Sequence, residues 1–90
     1  MLERVVSISN ALGLHARAAA QLVRLAHSFS SSVTLIRSDT HVTADGKDIL
    51  SILNLAAGSG VDLSIMVEGV DEQEALKAIT KLFADKFGED

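Results

Sequence analysis

Ninety residues, almost half of them hydrophobic but with three Phe and neither Trp nor Tyr, suffice for one domain spanning residues 1–90 around one aliphatic core. A formal net charge of −4 and the missing Trp and Tyr argue against a nucleic-acid partner, which would call for a basic surface and stacking platforms. The absence of cysteine excludes a disulfide framework and thiolate metal ligands. No apolar run approaches the length of a membrane span, and no apolar signal core follows Met1-Leu2-Glu3-Arg4, so a cytoplasmic protein without membrane insertion is expected.

Arg4 to Ser9 alternates as a strand, with Val6 and Ile8 expected inward, and Asn10 to Leu14 reads as a loop. From Ala16 to about His27, Ala19, Leu22, Val23 and Ala26 recur at helical spacing, while Arg17, Gln21, Arg24 and Ser28 occupy another face. Val33 to Arg37 and His41 to Ala44 read as a hairpin turning near Ser38-Asp39-Thr40, closed by a turn at Asp45-Gly46. A short helix is expected from Asp48 to about Ala56, capped by Asp48 and ended by Gly58, with Ile49, Ile52, Leu53 and Ala56 as its buried stripe and Leu50 exposed. Val61, Leu63, Ile65 and Val67 should face inward from the last strand. Asp71 with Glu74 suggests a capping box, with Val70 and Ala75 as its staple, opening a final helix whose core face is Leu76, Ile79 and Phe83. The order β-α-β-β-α-β-α predicts an α+β fold: a four-stranded antiparallel sheet with three helices on one face.

The chemistry-bearing segment is Gly13-Leu14-His15-Ala16-Arg17-Ala18-Ala19-Ala20, which sets a histidine at the threshold of a helix. The first N–H groups of a helix lack intrahelical partners and its dipole is positive there, so an anion beside His15 would meet donors and favourable potential. Arg17 can add charge-assisted hydrogen bonds, and an unprotonated imidazole can attack phosphorus. A histidine that merely fills the loop before a helix satisfies the same short motif. His15, His27 and His41 lack the spacing of a helical metal site, so no metal is expected and His27 and His41 read as solvated. No Ser-His-acid arrangement suggests a hydrolase.

With Gly13-Leu14-His15-Ala16-Arg17 between first strand and first helix, Asp45-Gly46-Lys47 before the second helix and Gly60 before the last strand, the chain resembles, almost end to end, the histidine-containing phosphocarrier family HPr of the phosphoenolpyruvate-dependent sugar phosphotransferase system. The resemblance implies an open-faced β-sandwich in which His15, phosphorylated at Nδ1, takes a phosphoryl group from enzyme I and passes it to IIA components of sugar permeases. The Ala16 and Arg17 amides and the Arg17 side chain would surround the phosphate, and no cofactor is implied. It also implies a partner surface of Ala16, Arg17, Ala20, Gln21, Arg24, His27, Ile49, Leu50 and Leu53 on a monomer. A regulatory phosphotransfer module of a nitrogen-related or incomplete branch is the alternative, since both use His15. Two departures stand out: Ala18 replaces the family's usual proline, and Asp48 occupies the position of its regulatory serine. Asp48 there either mimics a phosphoserine or simply caps the helix.

Overall fold

A computed structural model describes residues 1–89. The chain runs β1 (Leu2–Ser7), α1 (Ala16–His27), β2 (Ser32–Arg37), β3 (Thr43–Asp45), α2 (Ile49–Leu53), β4 (Asp62–Glu68) and α3 (Glu72–Ala84), then a 3₁₀ turn at Lys86–Gly88. The strands form one antiparallel sheet in the order β1-β4-β2-β3, so β4 is paired on both sides. This explains its long apolar alternation: Leu63, Ile65 and Val67 are buried against the helices. Val61, expected with them, precedes the strand and is only half-buried. Arg4 stands opposite Ile65 and Val6 opposite Leu63, which turns Glu3, Val5 and Ser7 to the uncovered face. That face carries polar cross-strand bonds from Ser7 to Asp62 and from Ser64 to Glu3.

Helix α1 has the expected bounds and buries Ala18, Ala19, Leu22 and Ala26, with Val23 at the margin of the core. Three alanines on that face let the helix lie close to its neighbours, as an aliphatic core without large aromatics requires. Leu76, Ile79 and Phe83 line the core side of α3 as the periodicity predicts.

Helix α2 departs from expectation. Asp48 caps it, its Oδ1 accepting from the amides of Leu50 at 3.0 Å and Ser51 at 3.4 Å. The helix nevertheless ends at Leu53, and Ala56 adopts φ 51° well before Gly58. This early stop re-aims the chain: Ile52, Leu55 and Ala57 enter the core, whereas Ile49 and Ala56, expected to be buried, are exposed. Two carbonyls freed at this end, those of Leu55 and Ala56, accept from Arg37 Nη1 at 2.9 Å each, while Asp39 braces the same guanidinium.

The entry to α3 is also built differently from a capping box. The Asp71 side chain makes no cap bond. It reaches across to accept from the amides of Ser30 and Ser31, both at 2.9 Å, and from the Ser31 hydroxyl. Glu72 takes up the local role, accepting from the Gly69 amide at 3.1 Å. Val70 is 93% exposed, so no staple forms.

The Ser31 hydroxyl, followed by the Ser30 and Ser31 amides, holds the Asp71 carboxyl below its ordinary range against the opposing effect of burial. A carboxyl lowered in the folded state stabilises above its unfolded pKa and loses that contribution as pH falls through the folded value. Asp71→Asn should therefore lower the thermal midpoint at pH 7, and the gap between the two proteins should close in acid, as followed by circular dichroism melts across a pH series.

Candidate functional site

The loop that carries His15 is fixed by backbone before any side-chain chemistry enters. Gly13 has φ 64°, and a Cβ there would meet the Ala57 carbonyl oxygen at 2.6 Å and Gly58 Cα at 2.7 Å. Only glycine satisfies both the left-handed conformation and that approach. Buried Asn10 closes the turn, its Nδ2 donating to the Gly13 carbonyl at 2.8 Å, and the Leu14 amide donates to the Ala57 carbonyl at 3.0 Å. Leu14 is thereby buried and His15 arrives at the N-cap of α1.

His15 is extended, with φ −73° and ψ 176°, and its carbonyl accepts from the Ala19 amide at 2.8 Å. Its imidazole does not cap the helix. Instead Nε2 meets Glu89 Oε2, which also lies 3.4 Å from Arg17 Nη2, while Asn10 Nδ2 donates to Glu89 Oε1 at 3.0 Å. The donation from Asn10 holds the Glu89 carboxyl below its ordinary range; burial opposes this, and the His15 and Arg17 donors reinforce it. An ionised carboxylate can only accept, so the hydrogen of this contact sits on His15 Nε2. Among the described residues Nδ1 has no hydrogen-bond partner.

Electrostatics favour an anion at this end of α1. The helix contains no Asp or Glu, while Arg17 and Arg24 lie along it. Helix α3, by contrast, has Glu72 and Glu74 in its first turn. Acidic residues normally offset the positive end of a helix dipole; α1 has none of its own, and the carboxylate that meets its threshold is that of Glu89, from the far end of the chain. The Arg17 side chain is 70% exposed and that of His15 23% exposed.

The remaining residues expected at the partner surface divide into two groups. Ala16, Arg24 and Leu50 are exposed, Leu50 at 68%, with Ile49 beside it, and α2 packs next to α1. Ala20 and Leu53 are half-buried. Gln21 is partly committed, its Nε2 donating to the Phe87 carbonyl at 3.2 Å. His27, expected to be simply solvated, is exposed but has its Nε2 at 2.9 Å from the Lys47 carbonyl, and Lys47 Nζ returns a bond to the Phe29 carbonyl. His41 lies far along the chain in the β2–β3 turn, exposed, with φ 63°.

The sequence reading missed Asn10, Phe87 and Glu89. Phe87 stacks edge-on to Phe83, ring centroids 4.9 Å apart, and is buried although its own backbone is left-handed at φ 55°. The spacing of Phe83 and Phe87 was the available signal, but four residues usually mean a continued helix. Here the helix stops at Ala84, and the turned-back backbone brings Glu89 to His15.

A family model described as "PTS HPr component phosphorylation site" matches residues 2–85. Phosphocarrier protein HPr of Cupriavidus necator is 46% identical over 89 residues, covering 99% of this chain and 98% of that protein. Phosphocarrier protein NPr of Proteus mirabilis is 41% identical over 87 residues, covering 97% and 96%. The crystal structure of HPr-C-His from Thermoanaerobacter tengcongensis matches with a TM-score of 0.93 at 38% identity, covering 100% of this chain and 99% of that one. With its histidine at the threshold of α1 on an open four-stranded sheet, and with the family model and full-length relatives matching it, the chain belongs to the HPr family of phosphocarrier proteins.

Proposed function

We propose that His15 accepts a phosphoryl group at Nδ1 from phosphorylated enzyme I and hands it to IIA components of sugar permeases. The observation that carries this reading is the division of labour on the ring: Nε2 is engaged by Glu89 while Nδ1 has no partner among the described residues, at the N-terminus of an α1 that holds no acidic residue. The lone pair of Nδ1 forms the new bond to phosphorus as the donor's bond to phosphorus breaks and its electron pair returns to the donor. The amides of Ala16 and Arg17, which have no intrahelical acceptor, and the exposed Arg17 guanidinium then hold the phosphoryl oxygens. These contacts are few and solvent-facing, which suits a carrier, since tight trapping would oppose delivery.

Exposed Leu50 and Ile49 on α2 and the arginines Arg17 and Arg24 on α1, which packs against α2, offer apolar contact and positive charge, a combination suited to acidic partner surfaces despite the net charge of −4. The protein acts in this scheme as a monomer. Asp48 fills the regulatory-serine position and its carboxylate already satisfies two helix amides, which supports a capping role with a built-in negative charge. Similarity to a protein named NPr keeps a regulatory branch as the second reading, and faster transfer to a regulatory IIA than to a sugar-permease IIA would select it.

His15→Ala should abolish labelling by phosphoenolpyruvate and enzyme I while leaving the circular dichroism spectrum unchanged, because the ring is at a loop edge; full labelling of that variant would refute the assignment. Arg17→Lys keeps the charge but loses the planar fork. In stopped-time transfer assays it should be slower than wild type, and Arg17→Ala slower still, by about tenfold, the loss of one charge-assisted hydrogen bond in a solvated site.

A further inference from the structure

We infer that the uncovered face of the sheet is a second docking surface, suited to a protein partner that presents lysines or arginines around an apolar contact. The inference goes beyond the phosphocarrier reading and does not rest on it.

The strand register sets this face out in rows. Val5, Ser64, Ile36 and Thr43 lie across the four strands in one row, and Glu3, Met66, Thr34 and Asp45 in the next. Val5, 61% exposed, and half-buried Ile36 and Met66 form an apolar centre on the side away from the helices. Carboxylates stand on all four sides of that centre: Glu3 and Asp45 on the two outer strands, Asp62 and Glu68 at the two ends of β4. Glu3 and Asp62 accept from the hydroxyls of Ser64 and Ser7, and Asp45 from the Lys47 amide, neutral donors that leave the charge in place. Among the described residues none of the four pairs with a cation.

The cations lie elsewhere. Of the eight Lys and Arg, Arg4 and Arg37 are in strands but stand opposite Ile65 and Leu63, on the helix side of the register. The others are on α1, on α3 or in the turns at Lys47 and Lys86, and the Lys47 ammonium is bound to the Phe29 carbonyl. The N-terminal amine is paired with Glu72 of α3. Charge is therefore divided by layer, and the division selects the partner. An apolar centre framed by four carboxylates repels nucleic acid and anionic membranes and attracts a basic protein surface, the centre giving contact area and the rim giving orientation. His15 begins α1 in the other layer, so this face can be occupied without covering the histidine.

The test is a titration of ¹⁵N-labelled full-length protein with a capped peptide of alternating Lys and Val, run beside its Glu-Val counterpart and followed by amide shifts. The Lys-Val peptide should move the amides of Val5, Thr34, Ser64 and Met66, leave those of α1 in place and bind more weakly as salt rises. The Glu-Val peptide should leave the sheet amides where they are. Asp62→Lys combined with Glu68→Lys should weaken binding of the Lys-Val peptide about tenfold, and Val5→Ser, which alters no charge, about threefold, each with an unchanged circular dichroism spectrum. The proposal is overturned by an absence of shifts, by shifts centred on Glu72 and Glu74 of α3, or by equal affinity in the charge-reversed and Val5→Ser proteins. An equal response to the Glu-Val peptide overturns it too, as does movement of the same sheet amides with protein concentration alone, the mark of a second copy on this face.

Discussion

The contact of Gly13 with the Ala57–Gly58 backbone is the constraint on which the site depends. It brings the end of the β1–α1 loop against the segment leaving α2, at a separation that excludes a Cβ, and the Leu14 amide then bonds the Ala57 carbonyl. The two halves of the chain are thereby joined where His15 begins α1. The early end of α2 belongs to the same arrangement: beyond Leu53 the chain sends Leu55 and Ala57 into the core and leaves the Ala57 carbonyl to accept from Leu14. Arg37 makes that early stop tolerable by capping the carbonyls of Leu55 and Ala56.

Charge is partitioned with similar economy. The acidic residues that give the chain its net −4 lie outside α1, and two of them sit in the first turn of α3, where they oppose the helix dipole. Among the described residues, Glu89 is the carboxylate that meets side chains at the start of α1, and it does so at His15 Nε2 and Arg17. The end of α1 proposed to receive an anion thus combines unpaired helix amides with an exposed guanidinium.

The strands, the bounds of α1 and the Asp48 cap were legible because each rests on local periodicity or one short-range bond. Misreadings cluster where a side chain prefers a distant partner. Asp71 followed by Glu74 has the spacing of a capping box, but two amides and a hydroxyl from Ser30 and Ser31 outcompete a single local N–H for its carboxylate. Ile49 fits an apolar stripe by spacing and is exposed because α2 is too short to present that stripe to the core. His15 and Arg17 could be read as a site from their place before a helix. Glu89 could not, since nothing local announces that three consecutive left-handed residues will fold it back across the chain.

The proposed role requires the N-terminal end of α1 to receive the phosphoryl group on His15 Nδ1. Its most direct test is a ³¹P- and ¹⁵N-resolved NMR comparison of the phosphorylated and unphosphorylated protein. The account predicts phosphorus coupled to Nδ1, with the amide protons of Ala16 and Arg17 moving downfield as they take up phosphoryl oxygens. Phosphorus coupled to Nε2, or amide signals of Ala16 and Arg17 left in place, would contradict it.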